Sequence, residues 1–189
     1  PEVRAYFEKM MLFWADPHGD GSGRDGADGL RIDHMMDDLD HKGLATDLFA
    51  DFWRPIFDAL RARRPGFRIM AEQSDWGYGE DWLVRGDADL VFAFPLRAAI
   101  TKLDKGQIVD ALRETEKRTP EGKGQIVFIE NHDTDRYMSL VEGDPARARA
   151  GAAISLLAAG EPLLYYGQEI GMRGVTRSDP SLSDRAHIP

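Results

Sequence analysis

The amino-acid sequence predicts an α/β protein built on a parallel sheet of the (β/α)8 barrel type. Short apolar segments alternate with helical patterns along all 189 residues, and alternation with near-continuous apolar strands implies a sheet buried on both faces. Carboxylates stand at or just after the ends of three of these segments, at Asp33, Glu72 and Asp133. A barrel gathers residues from the C-terminal ends of successive strands into one active face, whereas an open doubly wound sheet concentrates its chemistry at a switch point, often with a glycine-rich phosphate loop. Neither a GxGxxG nor a Walker pattern is present.

The elements follow in order. Val3, Tyr6, Phe7, Met10, Met11 and Trp14 recur at i, i+3, i+4, i+7, which predicts a first helix with one buried face, and Pro1 suits its first turn. From Asp16 to Gly29 the chain is so rich in Gly and Asp that only a loop can persist. Strands are predicted at Leu30 to Ile32 before Asp33, at Phe67 to Ala71 before Glu72, at Asp89 to Phe94, at Gln125 to Ile129 before Asn131-His132-Asp133, and at Pro162 to Tyr166. Helical spacing joins Leu48, Phe49, Phe52, Trp53, Ile56, Phe57 and Leu60 after a Thr46 cap, with Pro55 expected to bend that helix. Ile108, Val109 and Leu112 mark another helix, and Ala146 to Ala159 a last one ended by Gly160. Five strands are fewer than the eight of a closed barrel of about 250 residues. Residues 1–189 are therefore expected to form one partial barrel domain that needs an upstream part and is inactive alone.

Composition narrows the function. With 42% hydrophobic and 30% charged residues the chain matches a globular domain. Its net charge of −9 argues against nucleic acid and anionic membrane surfaces as partners. The one dense basic stretch, Arg61, Arg63 and Arg64, falls at a predicted helix end, where cations complement the dipole. No cysteine is present, which excludes disulfides, thiol chemistry and cysteine-based zinc sites. No run of about 18 apolar residues exists to span a membrane. The chain starts Pro1-Glu2-Val3, without an initiator Met or a signal peptide, which points to a native N-terminus further upstream and leaves localisation open.

The three acids suit glycoside hydrolysis with retention, which needs an ionised carboxylate and a protonated carboxyl about 5 to 5.5 Å apart. Arg31 is two residues before Asp33, so on a strand it points to the same side and its charge keeps Asp33 ionised, as a nucleophile requires. Glu72 has no cation adjacent in sequence and is followed by Gln73, Trp76, Tyr78 and Trp82, surroundings that favour a protonated acid. Those aromatic rings can also stack on sugars. His132 and Asp133 can hold sugar hydroxyls while the carboxylate supports an oxocarbenium-like transition state.

Three stretches, GLRIDHMMD (Gly29 to Asp37), MAEQSDW (Met70 to Trp76) and FIENHDTDR (Phe128 to Arg136), resemble the second, third and fourth conserved motifs of the α-amylase family, in order and spacing. GEPLLYYGQEIGM (Gly160 to Met172) is similar to that family's eighth strand and the following turn. The resemblance implies strands four to eight of the catalytic barrel and cleavage or transfer of α-glucosidic bonds in α-glucans or oligosaccharides. It implies that Asp33 forms the glycosyl intermediate, Glu72 acts as general acid/base and Asp133 stabilises the transition state. Arg31 would position the nucleophile, His132 would contact the sugar being cleaved, and no cofactor would be required. Arg136 resembles an Arg found in members acting on short oligosaccharides, which implies that it, like Trp76, binds the sugar substrate.

Two departures stand out. Met36 and Asp37 occupy positions where many starch-cleaving members have Lys and His, and the family's first motif, D-x-x-x-N-H, is missing. The loop acids Asp16, Asp20 and Asp25 are candidates for a structural Ca2+ with oxygen ligands at about 2.3 to 2.6 Å, although the spacing is not that of an EF-hand and a solvated turn is the competing reading. Two other functions fit parts of the pattern. A Mg2+-dependent lyase uses acids at strand ends but leaves Arg31 and the His132-Asp133 pair unexplained. A catalytically inactive relative acting as a carbohydrate-binding or scaffold module is the other, although it would be expected to have lost some of the three acids.

Overall fold

In the computed structural model, residues 2–37, 47–177 and 186–188 are described. They form two compact units, one of Pro1–Val91 with Thr119–Gly124, the other of Phe92–Arg118 with Gln125–Pro189. The Thr46 cap lies outside the described residues.

In the first unit, helix α1 (Glu2–Ala15) leads through the Asp/Gly loop into β1 (Gly29–Met35). Strand β2 (Arg68–Gln73) pairs with β1 in parallel, and β3 (Leu90–Phe92) pairs in parallel with β2 through Met70 and Ala71. Gly29 is required where it stands, because a Cβ there would lie 2.5 Å from the Arg68 carbonyl oxygen. A five-residue π-helical turn (Phe49–Trp53) runs into α2 (Arg54–Arg63), and a short helix α3 (Glu80–Val84) precedes β3. Ile32, Met35, Phe49, Ile56, Phe57, Leu60, Ile69 and Val91 form the core. Its burial supplies the main stabilising term, at roughly 25 cal/mol per Å2 of apolar surface.

Several expectations are corrected here. Pro55 does not bend a helix interior: it stands in the first turn of α2, where no N–H is needed, and the π turn absorbs the irregularity. Of the α1 face, Met11 is buried, whereas Val3, Tyr6 and Trp14 are exposed. Asp89 is not a strand residue. Its carboxylate takes the Ile69 N–H at 2.7 Å and pairs with Arg61 at 3.0 Å.

The second unit contains α4 (Phe94–Lys102), α5 (Lys105–Arg118), β4 (Gly124–Val127), α6 (Tyr137–Leu140), α7 (Pro145–Leu157) and β5 (Glu161–Pro162), with β4 and β5 parallel. Asp144 caps α7 by accepting the N–H groups of Ala146 and Arg147, and Pro145 occupies the first turn. Leu96, Ile100, Val127, Ile129, Tyr137 and Val141 make its core. Beyond the expected elements, β6 (Val175–Arg177) and β7 (Ala186–Ile188) form an antiparallel pair. The strand expected over Pro162 to Tyr166 shortens to β5, whose pairing with β4 ends at Pro162, and a turn follows from Tyr166.

Candidate active site

In the first unit the chemistry lies where β1 meets β2. The register runs Ile32 opposite Ala71 and then Met35 opposite Gln73, so two residues of β1, Asp33 and His34, face the single residue Glu72. This is a β-bulge, the device by which strands re-aim side chains beside functional sites. His34 takes the left-handed conformation it demands, with φ 45°. The bulge turns the His34 N–H towards Glu72 Oε2, 3.3 Å away.

Arg31 reaches across the same step. Its Nη1 donates to Asp33 Oδ1 and its Nη2 to Glu72 Oε2 at 2.6 Å, so one guanidinium forks between two carboxylates. The two acids sit in unlike settings: the Asp33 side chain is 76% exposed and that of Glu72 is 5% exposed. Partial desolvation raises the Asp33 pKa. The hydrogen bond and charge of Arg31, a hydrogen bond with the Glu72 carboxyl and the nearby His34 outweigh it, leaving Asp33 below the ordinary Asp value. No cation is adjacent to Glu72 in sequence, but Arg31 reaches it from the neighbouring strand.

Past Glu72 the chain turns tightly. Gln73 Nε2 donates to Gly77 O at 2.8 Å, Asp75 Oδ1 accepts from Gly77 N at 2.8 Å, and Trp76 stands in the turn, exposed, with φ 53°. Trp82, one of the rings expected to be free for sugar stacking, instead packs edge-on against Phe49 and donates its indole N–H to Met35 O.

In the second unit, the segment after β4 carries His132 and Asp133. Asp133 N donates to Asn131 Oδ1 at 3.2 Å and Asn131 N to Thr134 Oγ1 at 3.0 Å, an Asx-type turn that presents the acid. His132 Nε2 lies 3.2 Å from Asp133 Oδ2, with the imidazole more than half exposed. Arg136, expected to face a sugar, is corrected to an interior residue: it is 1% exposed. Its Nη1 donates to Glu130 Oε1 at 2.9 Å and to Tyr166 O at 2.7 Å, and its guanidinium lies over the Tyr165 and Tyr166 rings. Sequence reading missed Glu130 altogether, although a second acid three residues before Asp133 was a visible signal.

The calcium expectation does not fit this geometry. Asp16 Oδ2 accepts from Gly21 N at 2.8 Å and pairs with Arg63 at 3.2 Å, Asp20 Oδ1 accepts from Ser22 N, and Asp25 pairs with His18. One oxygen of each acid is thus engaged by a backbone or side-chain partner, while Asp16 Oδ1 is buried without a hydrogen bond. Among the described residues no cluster of three or more acidic, His or Cys side chains has a geometry able to hold a metal ion. Among them, too, no helix is long and apolar enough to cross a membrane.

Comparison with known proteins accords with these motifs. The family model "Alpha amylase, catalytic domain" matches residues 1–188. Neopullulanase 2 of Thermoactinomyces vulgaris is 27% identical over 95% of the chain, and a cyclomaltodextrinase of Thermoanaerobacter pseudethanolicus is 28% identical over 92%. The chain spans 28% of the length of each. Among solved structures, the cyclic α-maltosyl-(1→6)-maltose hydrolase of Arthrobacter globiformis superposes with a TM-score of 0.75 over 93% of this chain and 37% of its own, at 24% identity, a likeness of fold. With its α/β elements, its parallel strands and a family match over nearly its whole length, the chain belongs to the α-amylase catalytic-domain family.

Proposed function

We propose that this chain carries the reactive acids of a retaining α-glycosidase, which hydrolyses α-glucosidic bonds in α-glucans or oligosaccharides, or transfers the glycosyl group, through a covalent intermediate. The observation that supports this most is the Arg31 fork between Asp33 and Glu72 at the ends of two paired parallel strands. One guanidinium thereby joins an exposed carboxylate kept ionised to a second, buried acid. That is the division of labour retention needs.

Asp33 attacks the anomeric carbon as the glycosidic bond breaks, and the Glu72 proton passes to the leaving oxygen. Glu72, now a carboxylate, takes a proton from water or from an acceptor sugar hydroxyl, whose oxygen displaces Asp33 and regenerates both groups. Asp133 offers negative charge to the oxocarbenium-like transition state, and His132 a donor to sugar hydroxyls. Trp76, exposed beyond Glu72, offers a ring for stacking. The name cyclomaltodextrinase supports cyclic maltodextrins within that substrate class. The chain spans 28% of the length of the neopullulanase and cyclomaltodextrinase relatives, so the activity is proposed for a polypeptide longer than these residues. The proposed mechanism requires no cofactor.

The test is a trapping experiment on a complete catalytic polypeptide carrying this chain. Incubation with a fluorinated α-glucosyl fluoride should add one sugar mass, localised by peptide mapping to Asp33. An adduct on another residue, or turnover abolished by a chelator with no adduct at all, would overturn the reading.

A further inference from the structure

Between Glu130 and Tyr137 the chain makes a loop whose two ends are fastened by one buried carboxylate. Glu130 Oε1 accepts from Arg136 Nη1 at 2.9 Å, and its Oε2 accepts the backbone N–H of Tyr137. Both side chains of this ion pair are nearly sealed from solvent, at 2% and 1% exposure. Arg136 is held from several further directions. The Tyr165 and Tyr166 rings lie 4.3 and 4.5 Å from its guanidinium carbon, Tyr166 O accepts from Nη1, Met172 Sδ lies 3.4 Å from Nη2, and its own N–H donates to Gly174 O at 3.0 Å. Asp133 sits inside the loop so closed, shaped by the Asn131 and Thr134 hydrogen bonds.

We infer that the Glu130–Arg136 pair is a positioning device for Asp133: it fixes the loop that aims the carboxylate and touches no sugar itself. The inference rests on the role given to Asp133 under Proposed function. A buried ion pair is a poor source of net stability, because desolvation of two charges offsets most of their attraction. Its fork geometry, by contrast, fixes direction: a guanidinium with five donors in a rigid plane admits few arrangements of its partners. A carboxylate that acts on transition-state charge must be held within about 0.5 Å, and its misplacement lowers kcat more than it raises KM.

The experiment is a double-mutant cycle in a complete catalytic polypeptide, with Glu130→Gln and Arg136→Lys as conservative variants, each checked for folding by thermal melting and near-UV dichroism. On an activated aryl α-glucoside each variant is expected to lose about 10- to 100-fold in kcat with KM within about threefold. On an Asp133→Asn background the same changes are expected to cost less than about threefold, because the group they position is gone. Folded variants with unaltered kcat, or losses that multiply with that of Asp133→Asn, overturn the inference. Near-native activity of Asp133→Asn alone overturns the role of Asp133 instead, so the two failures are distinguishable. Should Arg136→Lys not fold, Glu130→Gln carries the same test, since it keeps the volume and one acceptor oxygen.

Discussion

The two acidic regions are built by opposite means. Asp33 and Glu72 ride on paired strands, where the ladder sets their backbones and one bulge sets their aim, and the cation between them stays partly open to water. Asp133 rides on a loop, where no ladder exists, and a buried ion pair does the fastening. Rigidity in the first region is shared with the sheet, whereas in the second it depends on side-chain contacts gathered around the Glu130–Arg136 pair. The strand-borne pair should therefore tolerate changes around it that the loop-borne acid does not.

The largest effect expected is chemical. Asp33→Asn removes the proposed nucleophile at almost constant volume, and kcat should fall by at least about 10^4-fold, more than about 5 kcal/mol of transition-state stabilisation. Steady-state kinetics alongside calorimetric titration with an oligosaccharide should separate the lost turnover from retained binding. A near-native rate in the Asn variant would remove Asp33 from its role.

Next comes the loop. Arg136→Met leaves Glu130 charged and buried without its cation, a defect of about 3 to 5 kcal/mol in systems of this kind. Urea unfolding should show a midpoint lowered accordingly, and the companion double variant Glu130→Gln with Arg136→Met should recover part of the loss because no buried charge remains. Equal stabilities of the single and double variants would mean that the ion pair is not what Met disturbs.

Arg31 makes the corresponding test in the strand region. Its guanidinium is partly exposed, so solvent screens the loss and Arg31→Met should cost about 1 to 3 kcal/mol, less than Arg136→Met. The pH dependence has a definite sign. In the folded chain Asp33 titrates below its ordinary value, so the stabilisation it gives is present above the unfolded pKa and is lost as pH falls through the folded one. Without Arg31 the folded pKa rises, and the acid limb of kcat/KM should move to higher pH. An unshifted limb would assign the ionisation of Asp33 to some other group.

How much of this was legible follows from sequence distance. The period of two along a strand put Arg31 beside Asp33, and short apolar runs ending in acids placed Glu72 and Asp133. Arg31 reaching Glu72 was not legible, because 41 residues separate them and only strand pairing joins them. Arg136 was misread for a related reason. Its motif neighbours suggested a sugar contact, while Tyr165 and Tyr166, about 30 residues later, bury it. The π turn and the short α3 escaped notice because neither has the length over which helical periodicity can be counted.

The smallest effect concerns the bulge, the feature that lets β1 place two residues against one. A non-glycine residue at φ 45° costs about 1 kcal/mol, and His is among the types that bear it best. His34→Gly should therefore leave stability unchanged or raise it slightly, since glycine enters that region freely and keeps the N–H that points at Glu72. His34→Val, β-branched, should lose about 1 to 2 kcal/mol or force the bulge to move. If the bulge is what aims Glu72, the Gly variant keeps kcat, while the Val variant lowers it by displacing the N–H that points at the carboxyl. Identical melting and identical kcat for Gly and Val would show that the sheet alone, and not its irregularity, positions the buried acid.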